Sequence, residues 1–169
     1  SYGVPRSKSI QTTPAHQLAL AAVYYSPLQY MYWYDKPSDS QDEPELKFFD
    51  DVYTTWDDTK VLQGEVGEFI TIARRKGEEW FIGSITNNEK RVLSVSLDFL
   101  PEGKNYIAEI YTDGDKSVKT RTKVRVSTYR VSNKTKLNFC LKASGGGAVR
   151  LVPDDGNIKS VKNYKQQRL

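Results

Sequence analysis

Few side chains in this sequence combine into a catalytic set. His16 is the only histidine and Cys140 the only cysteine. Nucleophilic catalysis would need His16 beside Cys140 or a serine, and nothing in the spacing supports such a pair. A single cysteine also excludes an internal disulfide framework and a cysteine-based zinc site, and it leaves the compartment open. We interpret His16, in the first turn of a predicted helix, as a hydrogen-bonded or half-exposed packing residue.

Acidic residues are the second candidate for chemistry. Nine of them lie between Asp35 and Asp58, against two lysines. Carboxylates bind calcium, but these do not follow the calcium-loop spacing with its glycine, so a solvated loop and helix face is favoured. The sequence Asp113-Gly114-Asp115 predicts a turn, and a ligand site there is the less favoured interpretation. The glycines at 145–147 lack the lysine of a phosphate loop and join two strands rather than a strand and a helix.

Trp33 and Asp35 have a more suggestive position. If Leu28 to Tyr34 is a parallel strand of a barrel, its C-terminal end lies on the face where such barrels build active sites. Trp33 would then offer a flat ring for stacking on a sugar, and Asp35 would accept hydrogen bonds from its hydroxyls. The alternative is that Trp33 packs inward and Asp35 caps the loop. The residues alone leave both interpretations open.

The first half of the chain predicts helix, strand, acidic loop and helix. Thr13-Pro14 is a helix start, because threonine caps free amides and proline is tolerated at the first helical position. This helix runs to about Tyr25 and is apolar nearly all round, which is typical of an element inside a larger body. Ser26-Pro27 ends it. Leu28 to Tyr34 is apolar on both faces, as in a covered parallel strand. Pro44 to Asp50 predicts a short second helix.

The second half predicts an antiparallel β-sandwich. After Trp56, turn signals recur every ten or so residues, and about eight short strands fit between them. Within the predicted strands the hydrophobic period is two. One example has Leu93, Val95, Leu97 and Phe99 on one face and Ser94, Ser96 and Asp98 on the other. We place the boundary between the halves near Asp58 and expect a mostly irregular basic tail beyond Pro153.

Charge is distributed unevenly along the chain. The net charge is +4, but residues 116–169 carry fourteen Lys and Arg against Asp154 and Asp155. A basic half can bind nucleic acid. Here the cations mostly alternate with apolar residues, as at 123–126, which is typical of the solvated face of a strand. We therefore predict no nucleic-acid partner. No apolar run approaches the ~20 residues that a membrane-spanning helix needs, so no membrane span is predicted either.

Two long stretches carry a family resemblance. The sequence TPAHQLALAAVYYSPLQYMYWYDKPSD, followed by EPELKFFDDVYTTWDDTKVLQGEVGEFITIARRKGEEWFIGSITNNEKR, resembles the C-terminal third of glycoside hydrolase family 97. The likeness continues through TRTKVRV and ASGGGAVRL. It covers most of the chain, at least residues 13 to 112, and is far more specific than a short motif.

The resemblance implies a multi-part fold. Members of this family have an N-terminal β-sandwich, a central (β/α)8 TIM barrel with calcium in the active site, and a C-terminal β-sandwich. Residues 1–58 are then expected to be the last helix-strand-helix portion of the TIM barrel, and residues 59–169 the all-β antiparallel sandwich with its basic tail. The apolar partners of residues 13–25, the other domains and most calcium ligands would lie upstream of Ser1.

The resemblance also implies a function. YYSPLQYMYWYDKPSD favours the retaining branch, α-galactosidases with an aspartate nucleophile and a glutamate acid/base. The alternatives are an inverting α-glucosidase of the same family, or a non-catalytic structural or carbohydrate-binding module. No position here matches the family's catalytic motifs, so no catalytic residue or metal ligand is assigned and this piece alone is expected to be inactive. Trp33 and Asp35 are the expected substrate-binding residues, an oligosaccharide is the expected substrate, and the bacterial periplasm or the exterior is the expected location.

Overall fold

A computed structural model describes residues 11–28, 43–158 and 160–165. Within these residues the chain forms helix α1 (Pro14–Val23), a 3-10 helix (Pro44–Leu46), helix α2 (Lys47–Asp51) and then eight β-strands. The strands are β1 (Asp58–Glu65), β2 (Phe69–Lys76), β3 (Glu79–Thr86), β4 (Arg91–Ser96), β5 (Asn105–Asp113), β6 (Val124–Ser132), β7 (Lys136–Leu141) and β8 (Gly146–Pro153).

The strands form two antiparallel sheets. The larger has the order β1-β2-β3-β8-β5-β6, and the smaller pairs β4 with β7. Side chains from both sheets enclose one hydrophobic core. Leu93 and Val95 point into this core while Ser94 between them is exposed, so the predicted period of two is confirmed there. The predicted all-β antiparallel fold of the second half is confirmed as well.

Helix α1 packs on the outer face of the large sheet. Thr13 is its N-cap and accepts a hydrogen bond from the His16 amide. Ala15, Leu18 and Ala19 are completely buried. The backbones approach closely, because a Cβ added to Gly83 of β3 would lie 2.4 Å from the Ala19 carbonyl oxygen. Small residues on both sides allow the helix to lie directly on the sheet.

Helix α2 closes a second core on the same outer face. Phe48 is completely buried, with its ring 5.9 Å from that of Phe81 and 5.4 Å from that of Tyr111, both in edge-on geometry. Aromatic pairs favour this arrangement. β3 and β8 are therefore covered on both faces. The smaller sheet covers the inner face, and the two helices cover the outer face.

These contacts test the predictions for the first half. Both predicted helices are confirmed, the first ending at Val23 and the second starting as a 3-10 turn at Pro44. The interpretation that the apolar partners of residues 13–25 lie upstream of Ser1 is wrong for the face that carries Ala15 and Leu18. That face is buried by β3 and β8 of the same chain, which present Gly83 and Gly146 to it.

The predicted parallel barrel strand is not among the strands that the structure describes. The described part of the chain contains no parallel strand pair among β1–β8. The predicted parallel strand at 28–34 falls, apart from Leu28, outside the described residues. In the ranges that the structure covers, no helix is long and apolar enough to cross a membrane.

Candidate functional site

The predicted sugar-binding residues Trp33 and Asp35 lie outside the described residues. The structure does describe the chain on both sides of the segment 29–42 that contains them. Before the segment the chain leaves α1 at Val23, and after it the chain re-enters at Glu43. Arg74 of the large sheet holds the first of these positions, and Arg121 in the loop between β5 and β6 holds the second. These contacts form the candidate site.

Arg74 of β2 holds the end of α1. It is 2% exposed, and its Nη2 donates a hydrogen bond of 2.8 Å to the carbonyl oxygen of Val23. Its Nε donates to the carbonyl oxygen of Ala22, and its Nη1 donates to Thr59 Oγ1 over 2.9 Å. The last carbonyls of a helix lack partners inside the helix and carry partial negative charge. One buried cation therefore satisfies two of them and fixes the direction in which the chain leaves α1.

The Arg74 guanidinium also touches the segment that follows α1. Its central carbon lies 5.0 Å from the centre of the Tyr25 ring, within cation–π distance. Burial lowers the pKa of Arg74 from its usual value, but an arginine remains protonated at any physiological pH. The positive charge at the helix end is consequently permanent.

Arg121 holds the other side of the segment. Its Nε donates to Glu43 Oε1 over 3.1 Å, and its Nη2 donates to the same oxygen. Glu43 is buried, while the Arg121 side chain is 43% exposed. Arg121 belongs to the loop between β5 and β6, so this ion pair connects the sheet to the residue that directly precedes the 3-10 helix. The sandwich thus contacts both flanks of segment 29–42.

His16 connects the start of α1 to the glycines at 145–147, which precede and begin β8. Its Nδ1 lies 3.1 Å from the Gly145 carbonyl oxygen, so Nδ1 carries the proton and donates. Burial lowers the pKa of His16, and the Gly145 carbonyl and the Asp113 charge oppose that shift only in part. Asp113 accepts hydrogen bonds from the amides of Lys142 and Gly146 at 2.9 and 3.2 Å. The packing role predicted for His16 is confirmed. Asp113 is the last residue of β5, and the turn that follows begins at Asp115, so the turn predicted at Asp113 lies two residues later.

A charged cluster joins α2 to the sheet. Arg150 of β8 donates from Nε to Glu79 Oε2 over 2.9 Å, and its Nη1 lies 2.8 Å from Asp51 Oδ2 and 3.6 Å from Glu109 Oε2. Burial opposes the charge on Arg150, but Glu79 and the other two carboxylates together raise its pKa. Lys47 of α2 reaches Glu109 over 3.3 Å. The cluster fixes α2 against the strands that also carry α1.

Glu45 is an exception to this pattern of pairing. It is completely buried, and neither of its carboxylate oxygens has a hydrogen-bond partner among the residues that the structure describes. Glu43, two residues earlier, has Arg121. A buried carboxylate without a partner opposes folding, since it has lost its hydration.

The described residues contain no group of three or more His, Cys, Asp or Glu side chains that could hold a metal ion. These residues therefore offer no calcium site of their own. Cys140 is free and exposed.

Sequence reasoning missed Arg74 and Arg121. A signal existed for the first, because Arg74 follows Ile70 and Ile72 at the period of two on a face that is otherwise apolar. A cation in that register points to buried acceptors, here the helix carbonyls. For Arg121, in a loop with several other cations, nothing local distinguishes it from a solvated residue.

Comparisons with known proteins place this geometry among carbohydrate-active enzymes. Residues 55–152 match the family model described as glycosyl-hydrolase 97 C-terminal, oligomerisation. A retaining alpha-galactosidase from Bacteroides thetaiotaomicron is 34% identical over 151 residues, covering 89% of this chain and 22% of that protein.

Solved structures agree with the match. A glycoside hydrolase family 97 enzyme from Pseudoalteromonas sp. strain K8, in complex with acarbose, superposes with a TM-score of 0.77 at 37% identity, over 85% of this chain and 23% of that one. A beta-arabinopyranosidase superposes with a TM-score of 0.66 at 25% identity, over 83% of this chain and 21% of its own. The chain thus spans less than a quarter of the length of these relatives.

Proposed function

Because the chain belongs to glycosyl-hydrolase family 97 through its C-terminal domain, we propose that it is the C-terminal part of a retaining α-galactosidase. The observation that carries this proposal is the identity to the retaining alpha-galactosidase across nearly all of this chain. The substrate would be an oligosaccharide with a terminal α-galactosyl unit. An aspartate nucleophile upstream of Ser1 would form the glycosyl-enzyme, and a second carboxylate would act as acid and then base.

In this proposal the residues of this chain support the barrel and bind the substrate, and none of them takes part in bond cleavage. Residues 1–58 complete the (β/α)8 barrel as its last helix, strand and helix, and residues 59–169 are the sandwich that supports them. Trp33 stacks on the sugar and Asp35 accepts hydrogen bonds from its hydroxyls. The contacts of Arg74 with Val23 and of Arg121 with Glu43 support this division of work, because they hold both flanks of the segment that carries Trp33 and Asp35.

The rest of the enzyme would pack on apolar groups that this chain leaves exposed. Tyr24, Tyr25 and Leu28 are 58%, 76% and 70% exposed, and they follow one another at the end of α1. Large apolar side chains that cluster at a surface mark contact sites. We assign this contact to the upstream barrel strands and helices. Calcium would be held by residues of that upstream part, and the enzyme would act in the periplasm or outside the cell.

Activity of the full-length protein tests the proposal. It should hydrolyse 4-nitrophenyl α-galactoside faster than 4-nitrophenyl α-glucoside, and proton NMR of the first product should show the α-anomer of galactose, as retention requires. A faster reaction on the glucoside with β-glucose as first product would identify the inverting α-glucosidase instead. Inactivity on both, with a folded protein, would leave the chain as a structural or carbohydrate-binding module and overturn the proposal.

A further inference from the structure

We infer that a cleft in the sandwich, distant from segment 29–42 in sequence, binds an acidic saccharide. The cleft lies between β6, β7 and the C-terminal segment 161–165, and its volume is about 730 Å³. This size falls within the range of small-molecule sites. The inference goes beyond the proposed hydrolytic function and does not depend on it.

The topology explains why the cleft is open. Ala108 and Ile110 of β5 point into the core between the sheets, and their partners across β6 are Tyr129 and Ser127. Paired residues in adjacent strands project to the same face. The inner face of β6 therefore looks toward the smaller sheet, which has β4 and β7 only. The C-terminal segment 161–165 covers part of that face, because the Tyr164 ring packs against Tyr129.

The C-terminal segment forms a fixed wall of the cleft. The Arg130 amide donates to the Lys162 carbonyl oxygen over 2.9 Å, and the Tyr164 amide donates to the Arg130 carbonyl oxygen over 2.9 Å. The Tyr164 hydroxyl accepts a hydrogen bond of 3.0 Å from the Asn138 amide of β7. These bonds hold the backbone of the segment and the Tyr164 ring in place, which lowers the entropic cost of binding.

The charge of the lining is entirely positive. Arg125, Arg130, Lys162 and Lys165 line the cleft, and no Asp or Glu among the described residues does. Arg125 pairs with Asp115 over 2.9 Å. Arg130 is structural, because it pairs with Asp154 and donates to the Ile158 carbonyl oxygen over 3.0 Å. Lys162 and Lys165 have no ion pair among the described residues. These two ammonium groups are available for an anion.

The neutral part of the lining suits a sugar. Tyr129 and Tyr164 meet edge to face, with ring centres 5.4 Å apart. Ser127 and Thr112 add hydroxyls, and Phe139 contributes to an apolar floor. Partly exposed tyrosine rings can pack against a face of a pyranose, and the nearby hydroxyls can form hydrogen bonds with its hydroxyl groups. A carboxylate or a sulfate ester on that sugar would then meet the lysines.

The same features argue against nucleic acid. Binding a polynucleotide backbone requires cations along a continuous stripe. Here the two lysines that line the cleft, Lys162 and Lys165, share a space of about 730 Å³, which holds only a few sugar units. An acidic saccharide is the ligand that the combined chemistry favours.

Calorimetric titration of the 169-residue chain tests the inference with three probes: trigalacturonate, a sulfated galactobiose and neutral galactobiose. Binding is expected for at least one acidic probe, and the two acidic probes distinguish a carboxylate from a sulfate ester as the recognised group. Salt at several hundred millimolar should weaken that binding, because the lysines are exposed. Neutral galactobiose should bind at least about tenfold more weakly.

Two double variants give the matched comparison. Lys162→Ala with Lys165→Ala should weaken the acidic probe at least about tenfold. Lys116→Ala with Lys119→Ala removes the same charge from exposed residues outside the cleft and should leave affinity within about twofold. A circular dichroism melt of each variant shows whether it is folded.

Three results would overturn the inference. The first is no binding of either acidic probe at millimolar concentration, and the second is an equal loss of affinity in both double variants. The third is tighter binding of an oligonucleotide than of the acidic probe in a competition titration. None of these bears on hydrolysis by the full-length protein, so failure here and failure of the proposed function are distinguishable.

Discussion

Arg74 Nη2 donates a 2.8 Å hydrogen bond to the carbonyl oxygen of Val23, the last residue of helix α1. The donor belongs to the second strand of the sandwich and the acceptor to the stretch that leads into residues 29–42. A buried guanidinium with backbone carbonyls as its main partners is costly unless its bonds are made, so α1 and the sheet stabilise each other.

Removal of Arg74 should destabilise the chain strongly. Arg74→Ala leaves the Ala22 and Val23 carbonyls without their donor, and we expect a loss of about 2–4 kcal/mol in the free energy of unfolding by urea. Arg75→Ala on the opposite face of the same strand is the control, because Arg75 is more exposed and should cost less than about 1 kcal/mol. Equal losses in the two variants would show that the contact at Val23 contributes nothing special.

Two adjacent glycines should respond differently to the same change. A Cβ on Gly146 would lie 2.6 Å from His16 Cα, whereas a Cβ on Gly147 would have its nearest neighbour at 3.4 Å. Gly146→Ala should therefore push α1 away and destabilise the chain by about 1–3 kcal/mol, and Gly147→Ala should be close to neutral. Hydrogen exchange of α1 amides should accelerate in the first variant alone. Unchanged exchange in both would contradict the packing of α1 on β8.

The stability that His16 contributes should depend on pH in one direction. Burial lowers its pKa in the folded state below the usual 6.5, so the unfolded chain binds the proton more readily. The contribution is full above pH 6.5 and declines as the pH falls below it toward the folded-state pKa.

NMR can follow this titration directly, because His16 gives the only imidazole signals. The difference in unfolding free energy between wild type and His16→Asn should shrink on acidification. Asparagine is chosen because its amide can still donate to the Gly145 carbonyl. An imidazole pKa above 6.5 would be inconsistent with the buried, Nδ1-protonated ring.

Glu43 and Glu45 should give effects of opposite sign when changed to glutamine. Glu43→Gln loses the charge that pairs with Arg121 and should destabilise the chain. Glu45→Gln replaces a buried carboxyl group that has no hydrogen-bond partner among the described residues, and it should stabilise the chain by about 1 kcal/mol. Thermal melts of the two variants compare them. Destabilisation by Glu45→Gln would contradict the absence of a partner for Glu45 among the described residues.

The sequence predicted those parts of the fold that depend on local chemistry. Thr13-Pro14 marked the start of α1, and the alternation around Leu93 and Val95 marked strands of a two-sheet core, because caps and periodicity are set by neighbouring residues. The packing of α1 on its own sheet could not be read in this way. It depends on Gly83 and Gly146, which lie far from α1 in the chain and carry no side chain to register in a hydrophobic pattern.

The candidate site shows the same division. His16 was correctly predicted as a structural residue, since a lone histidine has a common local role. The turn predicted at Asp113 begins at Asp115, because Asp113 still belongs to β5. The ion pair of Arg121 with Glu43 spans a long sequence separation, and no periodicity links the two. Trp33 and Asp35, in the segment between the anchored flanks, stay predictions that rest on the family resemblance.

The central claim is that the sandwich positions segment 29–42 for the sugar, and steady-state kinetics of Arg121→Gln in the full-length protein test it most directly. Loss of the ion pair with Glu43 should raise KM for 4-nitrophenyl α-galactoside about tenfold with a smaller change in kcat. The reason is that the variant disturbs the position of segment 29–42 more than the position of the upstream catalytic carboxylates. Lys119→Gln, exposed in the same loop, should leave both constants unchanged. Wild-type KM and kcat in a folded Arg121→Gln enzyme would contradict the claim.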